Sequence, residues 1–150
     1  AEGRLILADA LALADEESPE LIIDMATLTG AARVALGPEL PPLYSTDDSL
    51  AKAIVEAGLT VEDPFWHMPL WSAYDSQLAS KIADMNNTGA GGYAGSVIAA
   101  LFLKRFVSNA EAWVHLDILA WAPEARPGRP VGATDQGIRA LYHAIKQRFA

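Results

Sequence analysis

Glu2-Gly3-Arg4 sets a carboxylate two residues from a guanidinium, at the head of the apolar run Leu5 to Leu11. A carboxylate can ligate a hard or borderline divalent ion, and a nearby arginine can hold a planar anion or a developing oxyanion. One carboxylate does not make a metal site, however. A cation in a first helical turn also opposes the macrodipole by roughly 0.3–1 kcal/mol. Arg4 is therefore either a solvated end residue or a residue with a task. Gly89-Ala90-Gly91-Gly92-Tyr93-Ala94 fits G-x-G-x-x-G/A ahead of a helix. A phosphate cradle of that kind needs a hydrophobic strand directly before it, and Lys81 to Asn87 does not read as one. The better reading is a flexible glycine loop beside a site. Ser96 follows Gly95, but Ile98 stands where a nucleophile elbow needs its second glycine. His67, His115 and His143 show no ligand spacing. His115 and Asp117, two apart on a strand, can share a face as a metal pair or as a purely structural contact.

The elements that must position these residues follow from periodicity and breakers. Arg4 to about Asp15 predicts a helix of good formers that is apolar nearly all round, hence one buried between layers. Glu20 to Met25 predicts a short buried strand, and Ala26-Thr27-Leu28-Thr29-Gly30 leaves its carboxyl end, where ligands bind in open α/β sheets. Ala31 to Leu36 is short helix or irregular chain, and Leu43 to Thr46 a further strand. Asp47 and Asp48 start a helix to about Ala57, with acids suited to its dipole. Pro64 to Trp71 is an aromatic, proline-broken loop before a short helix over Ser72 to Leu78. Asn86 to Gly92 is loop, and Ala94 to Val107 a second nearly all-apolar helix. Ala112 to Ile118 predicts a strand, Pro123 to Pro130 a loop. The last helix, about Thr134 to Phe149, carries a stripe at Ile138, Leu141, Tyr142, Ile145 and Phe149 that should face a core. The alternation of helix and strand defines the α/β class.

Composition narrows the function classes. The 150 residues are one domain's worth, and 51% are apolar. No run approaches the roughly 18–20 uncharged apolar residues of a membrane span. A net charge of −8 without a basic patch argues against a nucleic-acid partner. The chain has no cysteine, which excludes disulfides and thiolate metal sites. With no secretory leader ahead of Ala1, the expected compartment is the cytoplasm.

The run AEGRLILADAL resembles the motif NTDAEGRL of the leucyl (cytosol) aminopeptidase family, the M17 metallopeptidases. ATLTGA at Ala26 to Ala31, ADMNN at Ala83 to Asn87 and HLDI at His115 to Ile118 are similar to that family in order and spacing. The likeness covers essentially the whole chain. It implies a three-layer α/β/α fold around a mostly parallel or mixed sheet. It also implies that residues 1–150 are the C-terminal portion of a catalytic domain whose first part, with the N-terminal domain, is absent.

What the resemblance implies for chemistry is a co-catalytic two-metal hydrolase that removes the N-terminal residue of peptides. The metals are usually zinc, with manganese or magnesium also accepted, and they polarise the scissile carbonyl and acidify a bridging water. Glu2 matches the glutamate that bridges both metals. Arg4 matches the arginine that stabilises the gem-diolate through a bound bicarbonate acting as base. Thr27, Leu28 and Gly30 match the strip lining the first side-chain pocket, with the Leu28 backbone accepting a substrate hydrogen bond. The family's other metal ligands and its catalytic lysine fall upstream of Ala1, so the chain alone is expected to be inactive. After HLDI this sequence reads Leu-Ala-Trp-Ala-Pro where well-known members have a small Ala-Gly pair, so Leu119 and Trp121 would reshape the pocket. The family's homo-hexamers make that assembly the expected one. The competing reading is a catalytically dead homologue serving as a structural or DNA-binding hexamer subunit, and retention of Glu2 and Arg4 favours the enzyme.

Overall fold

Strand β4 is apolar enough to sit at the centre of a sheet, and it does. In the computed structural model, which describes residues 2–150, Ala112–Asp117 is buried at all six positions. It pairs in parallel with β1, Leu21–Ala26, on one side. On the other it pairs antiparallel with β2, Pro42–Ser45, which carries the two-residue β3, Trp66–His67, in parallel at its outer edge. The sheet order is β1-β4-β2-β3, a mixed sheet in which β1 has one edge bonded only to β4.

The period-two alternation of strand side chains divides two cores. Ile22, Tyr44 and Trp113 face helices α1, Glu2–Asp15, and α4, Gly95–Lys104. Leu43, Ala112, Val114 and Leu116 face helices α3, Asp48–Thr60, and α5, Ile138–Arg148. The result is the expected three-layer α/β/α sandwich. A one-turn helix, α2 (Arg33–Leu36), and a 3-10 helix over Ser72–Leu78 fill the connections. Two further short strands, β5 (Trp121–Ala122) and β6 (Gly132–Ala133), form a separate antiparallel ribbon on either side of the Pro123–Pro130 loop.

Two helices depart from expectation. In α1 only Ala8, Leu11 and Asp15 are buried, while Ile6 is 71% and Leu13 67% exposed. An all-round apolar surface is covered here on one side only, by α4 and the sheet. In α5 the predicted stripe is not the buried face, apart from Leu141. Ala140, Leu141 and Ala144 pack toward α3, while Ile138, Tyr142, Ile145 and Phe149 are exposed. The small alanines let α5 approach the Ala51–Ala57 side of α3 closely, which turns the bulky stripe outward. Ile145 and Phe149 instead border a surface groove with Leu21 and Ile23 of β1.

Buried acids tie the layers together. Asp15, at the end of α1, accepts hydrogen bonds from the amides of Ser108, Asn109 and Ala110 ahead of β4. Asp63 caps α5 from a distance, accepting from the amides of Gly137 (2.8 Å), Arg139 (3.0 Å) and Ala140 (3.2 Å). Gly58 permits that turn, because a Cβ there would lie 2.5 Å from the Asp63 carbonyl oxygen.

Candidate active-site cleft

Parallel pairing brings the carboxyl ends of β1 and β4 together, with Ala26 opposite Asp117. The chain leaving β1 is then folded by that one carboxylate. Asp117 Oδ1 accepts the amides of Leu28 (3.1 Å) and Thr29 (2.9 Å), and Oδ2 accepts the hydroxyls of Thr29 and of Ser96 (3.0 Å). Ser96 in turn accepts from the Tyr44 hydroxyl at 2.8 Å. Burial pushes the Tyr44 phenol up to about 12; the Ser96 bond opposes that rise and the nearby Asp117 charge adds to it. With the Leu28 and Thr29 N–H groups drawn inward, the carbonyls of Thr27, Leu28 and Thr29 accept no hydrogen bond within the described residues.

Beside this strip the first turns of α1 complete a cleft of about 590 Å3, lined by Glu2, Arg4, Leu7, Ala26, Thr27 and Leu28 among others. Arg4 is not a frayed end. Its Nη1 donates to the Asn87 carbonyl at 2.7 Å, and the guanidinium lies 5.9 Å from the centre of the buried Phe102 ring. Burial pulls the Arg4 pKa down, and the Asp117 carboxylate pushes it back up. The cation is held in a fixed, half-buried place, able to receive an anion at the cleft. Glu2 is exposed in the first helical turn, where a carboxylate suits the dipole.

The structure thus brings Glu2, Arg4, Thr27 and Leu28 together, and it leaves Gly30 and Leu119 outside the cleft wall. Gly30 is exposed in the turn toward Arg33. Leu119 is half-buried in the loop after β4, its N–H and that of Ala120 both bonded to Gln136 Oε1 at 2.9 Å. Trp121 lies on a different cavity, with Pro38, Pro41 and Gln136.

His115 and Asp117 share a strand face but serve different partners. His115 Nδ1 lies 2.6 Å from Asp24 Oδ1 on β1, and Asp24 also accepts from Trp113 Nε1 at 2.8 Å. The imidazole is fully buried between the Tyr44 and Trp113 rings, 6.1 and 6.0 Å away. Neither the metal pair nor a His115–Asp117 contact forms. Asn87, ahead of the glycine run, touches the site through its carbonyl on Arg4, while Gly89 to Ala94 do not line the cleft. Sequence reading missed Asp117, Phe102, Ser96 and Tyr44 as the cleft's supports. The available signal was Asp117 at a strand's carboxyl end, matched to a second strand followed by Thr-Leu-Thr.

Among the described residues no three His, Cys, Asp or Glu side chains group to hold a metal ion. Glu2 is the one carboxylate on the cleft wall, so these residues do not by themselves fit a two-metal centre.

A mixed sheet between helical layers, with a cleft at the carboxyl ends of its parallel strands, defines a ligand-binding α/β domain of the enzyme type. Residues 1–142 match the family model described as the cytosol aminopeptidase family, catalytic domain. A probable cytosol aminopeptidase from Chlorobium phaeobacteroides is 49% identical over 98% of this chain, and one from Syntrophotalea carbinolica 47%. The crystal structure of a cytosol aminopeptidase from Coxiella burnetii superimposes with a TM-score of 0.94 at 50% identity over 99% of the chain. A tomato leucine aminopeptidase variant gives 0.86 at 41%. The chain belongs to the cytosol aminopeptidase family, the M17 peptidases. It spans 29% of the Chlorobium relative and 33% of the Coxiella chain. No helix among the described residues is long and apolar enough to cross a membrane.

Proposed function

We propose that the intact protein is a metal-dependent aminopeptidase of the cytoplasm, releasing the N-terminal residue of peptides, and that residues 1–150 form the C-terminal portion of its catalytic domain. The observation that carries this reading is the juxtaposition, in one cleft, of Glu2 and Arg4 with the Thr27–Leu28 strip. In it the Leu28 carbonyl accepts a substrate N–H, and Arg4 offers fixed positive charge to the oxyanion that develops as the peptide carbonyl is attacked. Glu2 contributes one carboxylate toward two divalent ions, zinc or manganese, whose other ligands lie outside these residues, and Arg4 is the seat for a bicarbonate. Gly30 and Leu119 border the first side-chain pocket once that pocket is complete. The intact enzyme is a homo-hexamer acting on peptides, not on nucleic acid.

The 150-residue chain alone is inactive on this reading, because one carboxylate cannot hold two ions. Assay of the chain on leucyl p-nitroanilide with added manganese or zinc should give no turnover, and calorimetry no tight binding of two ions. Turnover at an enzyme's rate, or stoichiometric binding of two metals, would refute the inactivity. The intact enzyme should hydrolyse the same substrate and lose activity to a chelator; failure to do so refutes the aminopeptidase reading.

A further inference from the structure

We propose that Asp117 is the positioning residue for the peptide in this cleft, its buried carboxylate fixing the direction in which the Leu28 carbonyl points. This rests on the aminopeptidase reading for the identity of the ligand. Four donors converge on the one side chain: the amides of Leu28 and Thr29 and the hydroxyls of Thr29 and Ser96. Asp117 is 5% exposed and anchored at the end of the fully buried β4, so it is a rigid post, while the strip it holds has no strand pairing of its own. A peptide plane whose N–H is held inward must present its carbonyl the other way, since the two groups lie on opposite edges of one plane. The Leu28 carbonyl shares its plane with the Thr29 N–H and accepts no hydrogen bond among the described residues, so Asp117, and not its own contacts, sets its direction. The same carboxylate faces the Arg4 guanidinium closely enough to favour its charged form.

The chemistry separates geometry from charge. In Asp117→Asn the amide oxygen can still take both backbone N–H groups, while the hydroxyls of Thr29 and Ser96 rotate to accept from the new NH2. In Asp117→Ala the two amides lose their acceptor and the strip loses its anchor.

The test is the intact enzyme with a leucyl dipeptide whose scissile amide is reduced to a methylene amine, a ligand that binds without turnover. Its Kd should rise about tenfold in Asp117→Ala, the scale of one lost hydrogen bond, and return to within threefold of wild type in Asp117→Asn. Hydrogen exchange at the Leu28 and Thr29 amides should follow the same order, fast in Ala and protected in Asn. Asp63→Asn, beyond the sheet from the cleft, serves as the stability control and should lower Tm with Kd unchanged. If Asp117→Ala does not fold, Asp117→Asn with protected amides and a near wild-type Kd still supports the proposal. Equal Kd in wild type and Asp117→Ala, or an Asn variant that loses binding while keeping both amides protected, overturns it. A wild type that binds the analogue but turns over no peptide overturns the aminopeptidase reading alone. One that binds no analogue overturns both.

Discussion

Asp63→Ala isolates the distant cap of α5. The carboxylate is 5% exposed and accepts from three amides in the first turn of that helix, two of them buried. Loss of an ordinary N-cap costs about 0.5–2 kcal/mol, usually with water free to replace it. Here the Gly137 and Ala140 amides lie under Phe65 and beside α3, where an unpaired N–H costs about 1–3 kcal/mol. Partial entry of water through the truncated side chain brings the sum down, and a loss of about 3 kcal/mol is expected. For a chain of this size that is a fall in Tm of roughly 6–12 °C. Asp63→Asn keeps one acceptor oxygen and should lose about half as much. Urea unfolding followed by tryptophan fluorescence would measure it as a drop in midpoint at constant m-value. A change below about 1 kcal/mol, or identical losses for Ala and Asn, would refute the reasoning, since the cap would then not be what holds α5. Gly58→Ala should be strongly non-additive with Asp63→Ala, because its Cβ would displace the same turn.

Gly137→Ala should destabilise by more than about 2 kcal/mol, its left-handed φ of 95° and a Cβ 2.7 Å from Phe65 Cζ acting together; urea midpoints check it. Burial raises the Asp15 pKa, but the amides of Ser108, Ala110 and Asn109 and the Ser108 hydroxyl outweigh it and hold the carboxyl below its ordinary value. That stability is present above an unfolded Asp pKa of about 4 and is lost as pH falls through the folded value, so Asp15→Asn should flatten the acid limb of midpoint against pH. The raised Tyr44 pKa works in the other direction. Its contribution is complete below the unfolded value of about 10 and is lost as pH rises toward about 12. Tyr44→Phe should abolish the last rise in tyrosinate absorbance, and an unchanged titration would refute the assignment.

How much of this was legible depended on whether a residue's fate was decided locally. Ala112 to Asp117 reads as a buried strand because β4 is covered on both faces, whereas β1 is where expected but buried only at Ile22 and Asp24, with Leu21 and Ile23 left at a surface groove. Ala94 to Val107 read as a buried helix because α4 is enclosed from Ser96 to Leu103. The α5 stripe misled because periodicity reports where large apolar groups lie, not which face is small enough to pack; the alanines made that choice. Asp24 with His115, and Asp117 with Leu28 and Thr29, depend on parallel pairing of two strands on either side of the chain's middle. No local pattern encodes that pairing. Glu2 and Arg4 were found through motif likeness; Asn87 lies in the ADMNN stretch but holds Arg4 through its backbone carbonyl, which no motif reports, and Phe102 carries no motif.

The outer edge of β1 has a consequence for handling the chain by itself. The backbone donors and acceptors of β1 that point away from β4 stand at the rim of the sheet, with no lysine, proline or bulge among Leu21 to Ala26 to discourage pairing. Exposed Ile145 and Phe149 border Leu21 and Ile23 on one side, and exposed Ile6 lies with Ala26 on the other. Such a rim is a template for self-association through strand addition, with greasy shoulders to seal each joint. Solutions of residues 1–150 should cloud with rising concentration well below the unfolding temperature. A charged residue in place of Ile23 should clear them more effectively than any stabilising change in the core.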